Sequence, residues 1–246
     1  MSRPRNGGAT DLRSGSRTLV VVVSLVVLAL VATTVTVIAL AARDRDALAG
    51  LEPGGTTTQE WAGSPAAGLD ETGGVAVGDG GPVLTVYLDL LCPACRQLEE
   101  TSGEYLRGLE ASGEATVDYR PIAILDRLSA GTEYSTRAAS AVMCVADTDG
   151  PATAVDVVDA LYAAQPAEGG PGLDDAALAE VALGAGASEA VRLCIEETRY
   201  AGWVARSTQQ AQQLGVGGTP TVWVDGQPTT ARTPEALAGA LRQAGG

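Results

Sequence analysis

The stretch Leu90-Leu91-Cys92-Pro93-Ala94-Cys95-Arg96 places two cysteines three apart, where an apolar run gives way to a helical pattern. Upstream, Val83 to Leu88 reads VLTVYL, the short, β-branched, apolar composition of a buried central strand. Downstream, Pro93 suits the first turn of a helix, and Leu98, Tyr105, Leu106 and Leu109 share one face of it before Gly113 closes the segment. A Cys-x-x-Cys pair at such a junction sets its first sulfur at a helix N-terminus, where unpaired amides and the macrodipole favour negative charge. Cys92 is therefore the expected thiolate, and Cys92 with Cys95 the expected redox pair.

Working outward, Ala115 to Tyr119 reads as a second strand, so that strand, crossover helix and strand form a parallel, right-handed unit. Val75 to Val77 is a candidate short strand ahead of them. Between about Ser135 and Leu214 apolar residues recur at helical spacing, first Ala138, Ala141, Val142 and Val145, then Val155, Val158, Leu161 and Tyr162. Asp174 and Ser188 are candidate N-caps, the first ahead of Leu178 and Val181, the second ahead of Val191, Cys194 and Ile195. A last helix of this block runs from Trp203 to Leu214 and stops at Gly215. Thr221 to Gly226 reads as a strand entering an Asp-Gly turn, Pro228 confines the return strand to a sheet edge, and Thr233-Pro234-Glu235 opens a terminal helix.

Residues 18–42 carry no charge and are mostly Val, Leu, Ala and Ile. As a helix rising about 1.5 Å per residue they span about 37 Å, enough for a hydrocarbon core of about 30 Å. Arg3, Arg5, Arg13 and Arg17 precede this anchor with only Asp11 opposing them, while Arg43, Asp44, Arg45 and Asp46 cancel beyond it. The positive-inside rule makes 1–17 a cytoplasmic tail and puts the rest of the protein outside the cell membrane, single-pass. A cleaved signal peptide competes with the anchor, since Ala39-Leu40-Ala41 resembles a cleavage site, but a secretory apolar core runs to only about 7 to 15 residues. Residues 43–80, rich in Gly, Thr, Ala, Pro and Ser, read as a flexible linker with a coil span of roughly 35 Å, leaving 81–246 as one domain.

Composition removes several classes of function. Residues 47–246 hold ten arginines against 27 acids, a net charge of −17, which opposes nucleic-acid binding. The chain has no His, so Ser-His-Asp and Cys-His catalysis and His-ligated zinc are excluded, and no metal or cofactor is expected. Gly184-Ala185-Gly186 lacks the lysine of a phosphate-binding loop, and Asp147-Thr148-Asp149-Gly150 lacks the remaining ligands of a calcium loop.

Four cysteines in an exported chain imply disulfides, and of three pairings the spacing favours Cys92 with Cys95, leaving Cys144 for Cys194. A purely structural Cys92-Cys95 disulfide and a four-cysteine zinc site compete with the redox pair, although a zinc ribbon would carry a second Cys-x-x-Cys. Cys144 and Cys194 fall on separate helices among inward-facing apolar residues, where a disulfide would pin the helical block and stabilise it by roughly 4 kcal/mol. Two buried thiols and a second redox pair are the alternatives there.

Strand, CPAC at a helix start, strand, helical block, then Gly217-Gly218-Thr219-Pro220 before another strand resembles the thioredoxin fold with a helical insertion at about 128–214, an α/β architecture. The nearest likeness is to the membrane-anchored, DsbA-family thiol-disulfide oxidoreductases of actinobacteria, carried by DLLCPACRQLEE (89–100), EYSTRAASAVMC (133–144) and GVGGTPTVWVDG (215–226). The resemblance implies that Cys92 attacks or is attacked, that Cys95 resolves the mixed disulfide, and that Pro220 is cis and faces them. A cis bond there would turn the Thr219 backbone toward an extended peptide substrate.

The dipeptide between the cysteines is Pro-Ala, where the best-known oxidants of the family carry Pro-His. Only the helix terminus and arginines such as Arg96 are left to lower the thiol pKa. Asp89, three residues before Cys92, is a candidate proton relay for Cys95, or else a solvated strand-end residue. Taken together, the expected function is disulfide donation to exported proteins with reduced cysteines, with reoxidation, by resemblance, by a quinone-linked membrane oxidase of the DsbB or vitamin K epoxide reductase type. A membrane-tethered reductant or isomerase, and a non-catalytic peptide-binding module of the same fold, are the alternatives.

Overall fold

The computed structural model describes residues 74–245. The tail at 1–17, the anchor at 18–42 and the linker up to residue 73 lie outside the described residues. No helix among the described residues is long and apolar enough to cross a membrane.

Strand β2 (Val83–Leu88) is the centre of the sheet, with every residue after Val83 buried. Helix α1 (Pro93–Ser112) carries the chain to β3 (Thr116–Pro121), which lies parallel to β2 from Val83 opposite Thr116 to Leu88 opposite Pro121. Gly113 ends α1 in the left-handed region at φ 68°, a conformation that costs glycine no Cβ clash. On the other side of β2 runs β4 (Thr221–Val224), antiparallel, with Leu84 opposite Val224 and Tyr87 opposite Thr221. Strands β1 (Val75–Val77) and β5 (Gln227–Thr229) add antiparallel edges, giving the order β1-β3-β2-β4-β5. Because β1 falls within 43–80, the folded domain reaches upstream of residue 81.

The β4-β5 hairpin turns on Asp225 and Gly226, at φ 46° and 76°, the paired positive angles of a two-residue turn matched to strand twist. Pro228 lies on the edge strand β5, where its missing amide leaves no neighbour unpaired.

Between β3 and β4 the chain builds a helical block: α2 (Tyr134–Asp149), α3 (Pro151–Ala163), α4 (Asp175–Gly184), α5 (Arg192–Glu196) and α6 (Ala201–Gln213). Helix α2 is its axis, with Ala138 through Ala146 all buried. Its run of Ala and Ser admits neighbours on every side, and the buried Ser140 hydroxyl is satisfied by the Tyr200 amide at 3.0 Å. Asp174 caps α4 by accepting from the Ala177 amide at 2.8 Å. Ser188 instead heads a 3-10 turn, Glu189–Val191, without a side-chain cap bond, and α5 follows. The chain closes with α7 (Pro234–Ala244).

Candidate active site

The redox turn is built by the end of β2. The Cys92 amide donates to the Asp89 carbonyl at 2.9 Å, which closes the turn and leaves Cys92 in extended geometry as the N-cap of α1. Pro93 follows in the first helical turn, where an amide would have no partner. The Cys92 carbonyl accepts the Cys95 and Arg96 amides at 3.1 and 3.2 Å, so the helix starts at the reactive sulfur.

Both thiols are free. Cys92 is 7% exposed and Cys95 2%. Cys92 is the more exposed of the two, yet it is far more covered than a helix tip alone implies. Thr219, two residues before β4, lies against it. Register explains the approach: Tyr87 pairs with Thr221, so the residues before Thr221 lie beside those after Leu88. The Thr219-Pro220 peptide bond is cis, and the Cys92 thiol donates to the Thr219 carbonyl at 3.3 Å. Thr219 Oγ1 is itself buried and has no conventional partner.

The two thiols are driven apart electrostatically. The Cys92 pKa drops from 9.0 to about 5, chiefly because the Cys95 thiol donates to its sulfur; burial opposes this, and the Thr219 side chain and the Cys95 and Ala94 amides reinforce it. Cys95 is pushed well above 9.0, first by burial, then by the hydrogen bond and charge of Cys92. Reduced and at neutral pH, the pair therefore holds one negative charge, centred on Cys92, and one proton on Cys95.

Asp89 is fully buried rather than a solvated strand end. Its Oδ1 accepts the Leu91 amide at 2.9 Å and the Ser135 hydroxyl at 2.7 Å. Its Oδ2 accepts the Ile124 and Leu125 amides at 2.9 and 3.0 Å. Burial raises its pKa to about 6 against the pull of those four donors. With both oxygens doubly occupied, the carboxylate ties the redox turn to the segment after β3 and to the start of α2. It is the Asp89 backbone amide that favours the Cys95 thiolate.

Two further side chains act on the turn and a third on the facing cis-proline loop. Gln165, just beyond α3, donates to the Leu90 and Cys92 carbonyls at 2.9 and 3.1 Å. The Tyr162 hydroxyl donates to the Asp89 carbonyl at 3.4 Å, and its pKa rises well above 10.0 through burial first and then the charge of Cys95. Arg232, between β5 and α7, donates to the Pro220 carbonyl at 3.0 Å. Tyr162 is legible in sequence only as an inward helical position; Gln165 and Arg232 lie in loops with no periodicity to mark them. Arg96, expected among the cations near the sulfurs, instead pairs with Glu100 at 3.5 Å, its side chain 44% exposed.

Cys144 on α2 and Cys194 on α5 form a disulfide. These sulfurs are thereby unavailable to a four-cysteine zinc site.

Comparison with known proteins agrees with this geometry. The sequence model of the family described as thioredoxin matches residues 74–243. Oxidised DsbA of Mycobacterium tuberculosis is 34% identical with a TM-score of 0.63, covering 70% of this chain and 93% of that one. The reduced disulfide bond oxidoreductase DsbG of the same organism is 34% identical with a TM-score of 0.62, covering 69% and 86%. MdbA, a thiol-disulfide oxidoreductase from Corynebacterium diphtheriae, shares the fold at 19% identity and a TM-score of 0.59, covering 75% and 99%. The serine/threonine-protein kinase PknE of Mycobacterium tuberculosis is 28% identical over 162 residues, so this chain spans only 29% of that curated relative's length. By its matched domain and its redox turn, the chain belongs to the thioredoxin family and, within it, to the DsbA-like thiol-disulfide oxidoreductases.

Proposed function

We propose that the protein is an extracytoplasmic, membrane-tethered oxidant that passes its Cys92-Cys95 disulfide to exported proteins with reduced cysteines. The observation that carries this is the split between the two thiols, Cys92 near 5 and Cys95 well above 9.0. A thiolate so stabilised favours the dithiol form, and a pair that prefers to be reduced gives its disulfide away readily.

The steps follow from the positions of the sulfurs. A substrate thiolate attacks Cys92 Sγ, the Cys92-Cys95 bond breaks, and Cys95 leaves into its buried site and takes a proton. The substrate's second thiolate attacks its own sulfur in the mixed disulfide and releases the Cys92 thiolate. Two electrons pass from the substrate to the protein pair. Thr219, next to the cis bond and facing Cys92, is the backbone against which an extended substrate pairs. A quinone-linked membrane oxidase of the DsbB or vitamin K epoxide reductase type then removes the two electrons. The uncharged stretch 18–42 and the arginines before it support the tether and the outward orientation.

Oxidation of a reduced dithiol peptide by the purified protein tests the role. Cys92→Ser is expected to abolish turnover; turnover at the wild-type rate would refute the mechanism.

A further inference from the structure

Gln165 is the second residue beyond α3, and its side-chain Nε2 carries two N–H groups. They donate to the Leu90 carbonyl at 2.9 Å and to the Cys92 carbonyl at 3.1 Å, the second contact spanning 73 residues. One side chain thus holds the Leu90-Leu91 and Cys92-Pro93 peptide groups. The Leu91-Cys92 peptide between them is held from the other side, where the Cys92 amide donates to the Asp89 carbonyl at 2.9 Å. With its N–H and its C=O both engaged, Cys92 is fixed at φ −75° and ψ 117°, and so is the direction of its Cα–Cβ bond. Helix α1 does not do this alone. Cys92 occupies its N-cap, where Ser, Thr, Asp or Asn would tie down the first turn with a side-chain bond, and its thiol is turned instead to the Thr219 carbonyl.

Gln165 is itself held on both sides. Its backbone amide donates to the Tyr162 carbonyl at 3.2 Å, at the end of α3. The segment beyond it is fastened to residues ahead of α2 and within it. The Gly169 amide donates to the Leu128 carbonyl at 2.6 Å, the Thr132 hydroxyl to the Pro171 carbonyl at 2.5 Å, and the Arg137 guanidinium to the Leu173 carbonyl at 2.7 Å. A side chain carried between two such anchors keeps its amide in place. Residue type matters as well: a glutamate of the same shape only accepts, and Lys or Arg would add a charge beside the reactive thiol.

Resting on the disulfide transfer above, we propose that Gln165 is a positioning residue, whose two N–H groups fix the Cys92 backbone so that Sγ is presented to a substrate sulfur in line with the sulfur of Cys95. Exchange needs that line. As the substrate thiolate attacks Cys92 Sγ, a substrate-Cys92 bond forms, the Cys92-Cys95 bond breaks, and the electron pair leaves on the Cys95 sulfur, which takes a proton. The brace bears on backbone carbonyls, which carry the same charge in both redox forms. Its loss therefore slows exchange in both directions and leaves the equilibrium in place.

The test mixes full-length protein, oxidised at Cys92-Cys95, with excess reduced dithiol peptide at pH 7, quenches with acid at intervals and traps the free thiols. In one turnover the peptide dithiol becomes a disulfide and the protein pair takes up its two electrons. The amplitude counts competent protein, and the rate constant reports the step. Gln165→Met keeps the volume and removes both donors; Gln165→Ala lets water satisfy the two carbonyls and serves where the Met variant does not fold. Each is expected to keep the full amplitude and to lose about tenfold in rate constant. The equilibrium constant against reduced and oxidised glutathione is expected to stay within about threefold of wild type. Rate constants within about threefold of wild type overturn the proposal, as does an equilibrium displaced as far as the rate. Loss of amplitude in both variants marks a structural role alone and overturns it too. A wild-type protein that passes no disulfide to the peptide overturns the oxidant role itself, a result distinct from a wild type that turns over alongside unchanged variants.

Discussion

Cys92 Sγ sits 3.3 Å from the Thr219 carbonyl, a contact across 127 residues that joins the helix tip to the cis-proline loop. The carbonyl accepts from the thiol form, whereas the buried Thr219 hydroxyl, without another conventional partner, favours the thiolate of either sulfur. Thr219→Val keeps the shape and removes the hydroxyl. The pH midpoint of Cys92 alkylation by iodoacetamide is expected to rise from near 5 by up to about one pH unit. An unchanged midpoint would remove the hydroxyl from the account.

Asp89 separates anchoring from proton relay. Asp89→Asn replaces an acceptor of four hydrogen bonds with a group that accepts at one end only, leaving buried donors unpaired, at a cost of roughly 2 to 4 kcal/mol in unfolding free energy. Because the carboxylate is directed at those donors, the pH profile of Cys92 alkylation should stay put in the same variant. A profile displaced by a full pH unit would support the relay instead.

The depressed Cys92 pKa also links stability to pH. Its folded value near 5 lies below its ordinary 9.0, so the thiolate contributes stability to the reduced fold that is complete above pH 9 and is lost as pH falls through 5. Cys95, raised above 9.0, is protonated in both states between pH 4.5 and 7 and adds nothing over that range. Thermal melts of reduced and oxidised protein are therefore expected to show a melting temperature advantage for the reduced form at pH 7 that shrinks steadily toward pH 4.5. A difference independent of pH would contradict the thiolate assignment.

The Cys144-Cys194 disulfide closes a long loop between α2 and α5 and lies apart from the redox turn in the sequence. Replacing both cysteines with alanine should lower stability by about 4 kcal/mol while leaving the glutathione equilibrium of Cys92 and Cys95 in place. Denaturant unfolding of the double variant, paired with thiol trapping, reads both quantities.

Where residue type and chain position alone determine a feature, the sequence was sufficient. VLTVYL, CPAC and Gly217-Gly218-Thr219-Pro220 each carry a local conformational demand, and together they outline the central strand, the helix tip and the facing loop. Features made by packing were hidden. Arg96 adjoins Cys95 in sequence but is rotated about 100° around the helix, and it pairs outward with Glu100. Gln165 reaches the turn and Arg232 the cis-proline loop from loops far along the chain, where no period or motif marks them. Tyr162 carries an apolar body that fits the helical pattern, and the pattern says nothing of where its hydroxyl goes. The coverage of Cys92 arises from the register of β2 with β4, which alternation of side chains does not determine.

The reduction potential of the wild-type Cys92-Cys95 pair is the most direct test of the account. An oxidant whose thiolate is held near pH 5 without a histidine is expected at about −180 mV or less negative, in the range of disulfide-donating enzymes. A value at or below about −270 mV, that of a reducing thioredoxin, would contradict it.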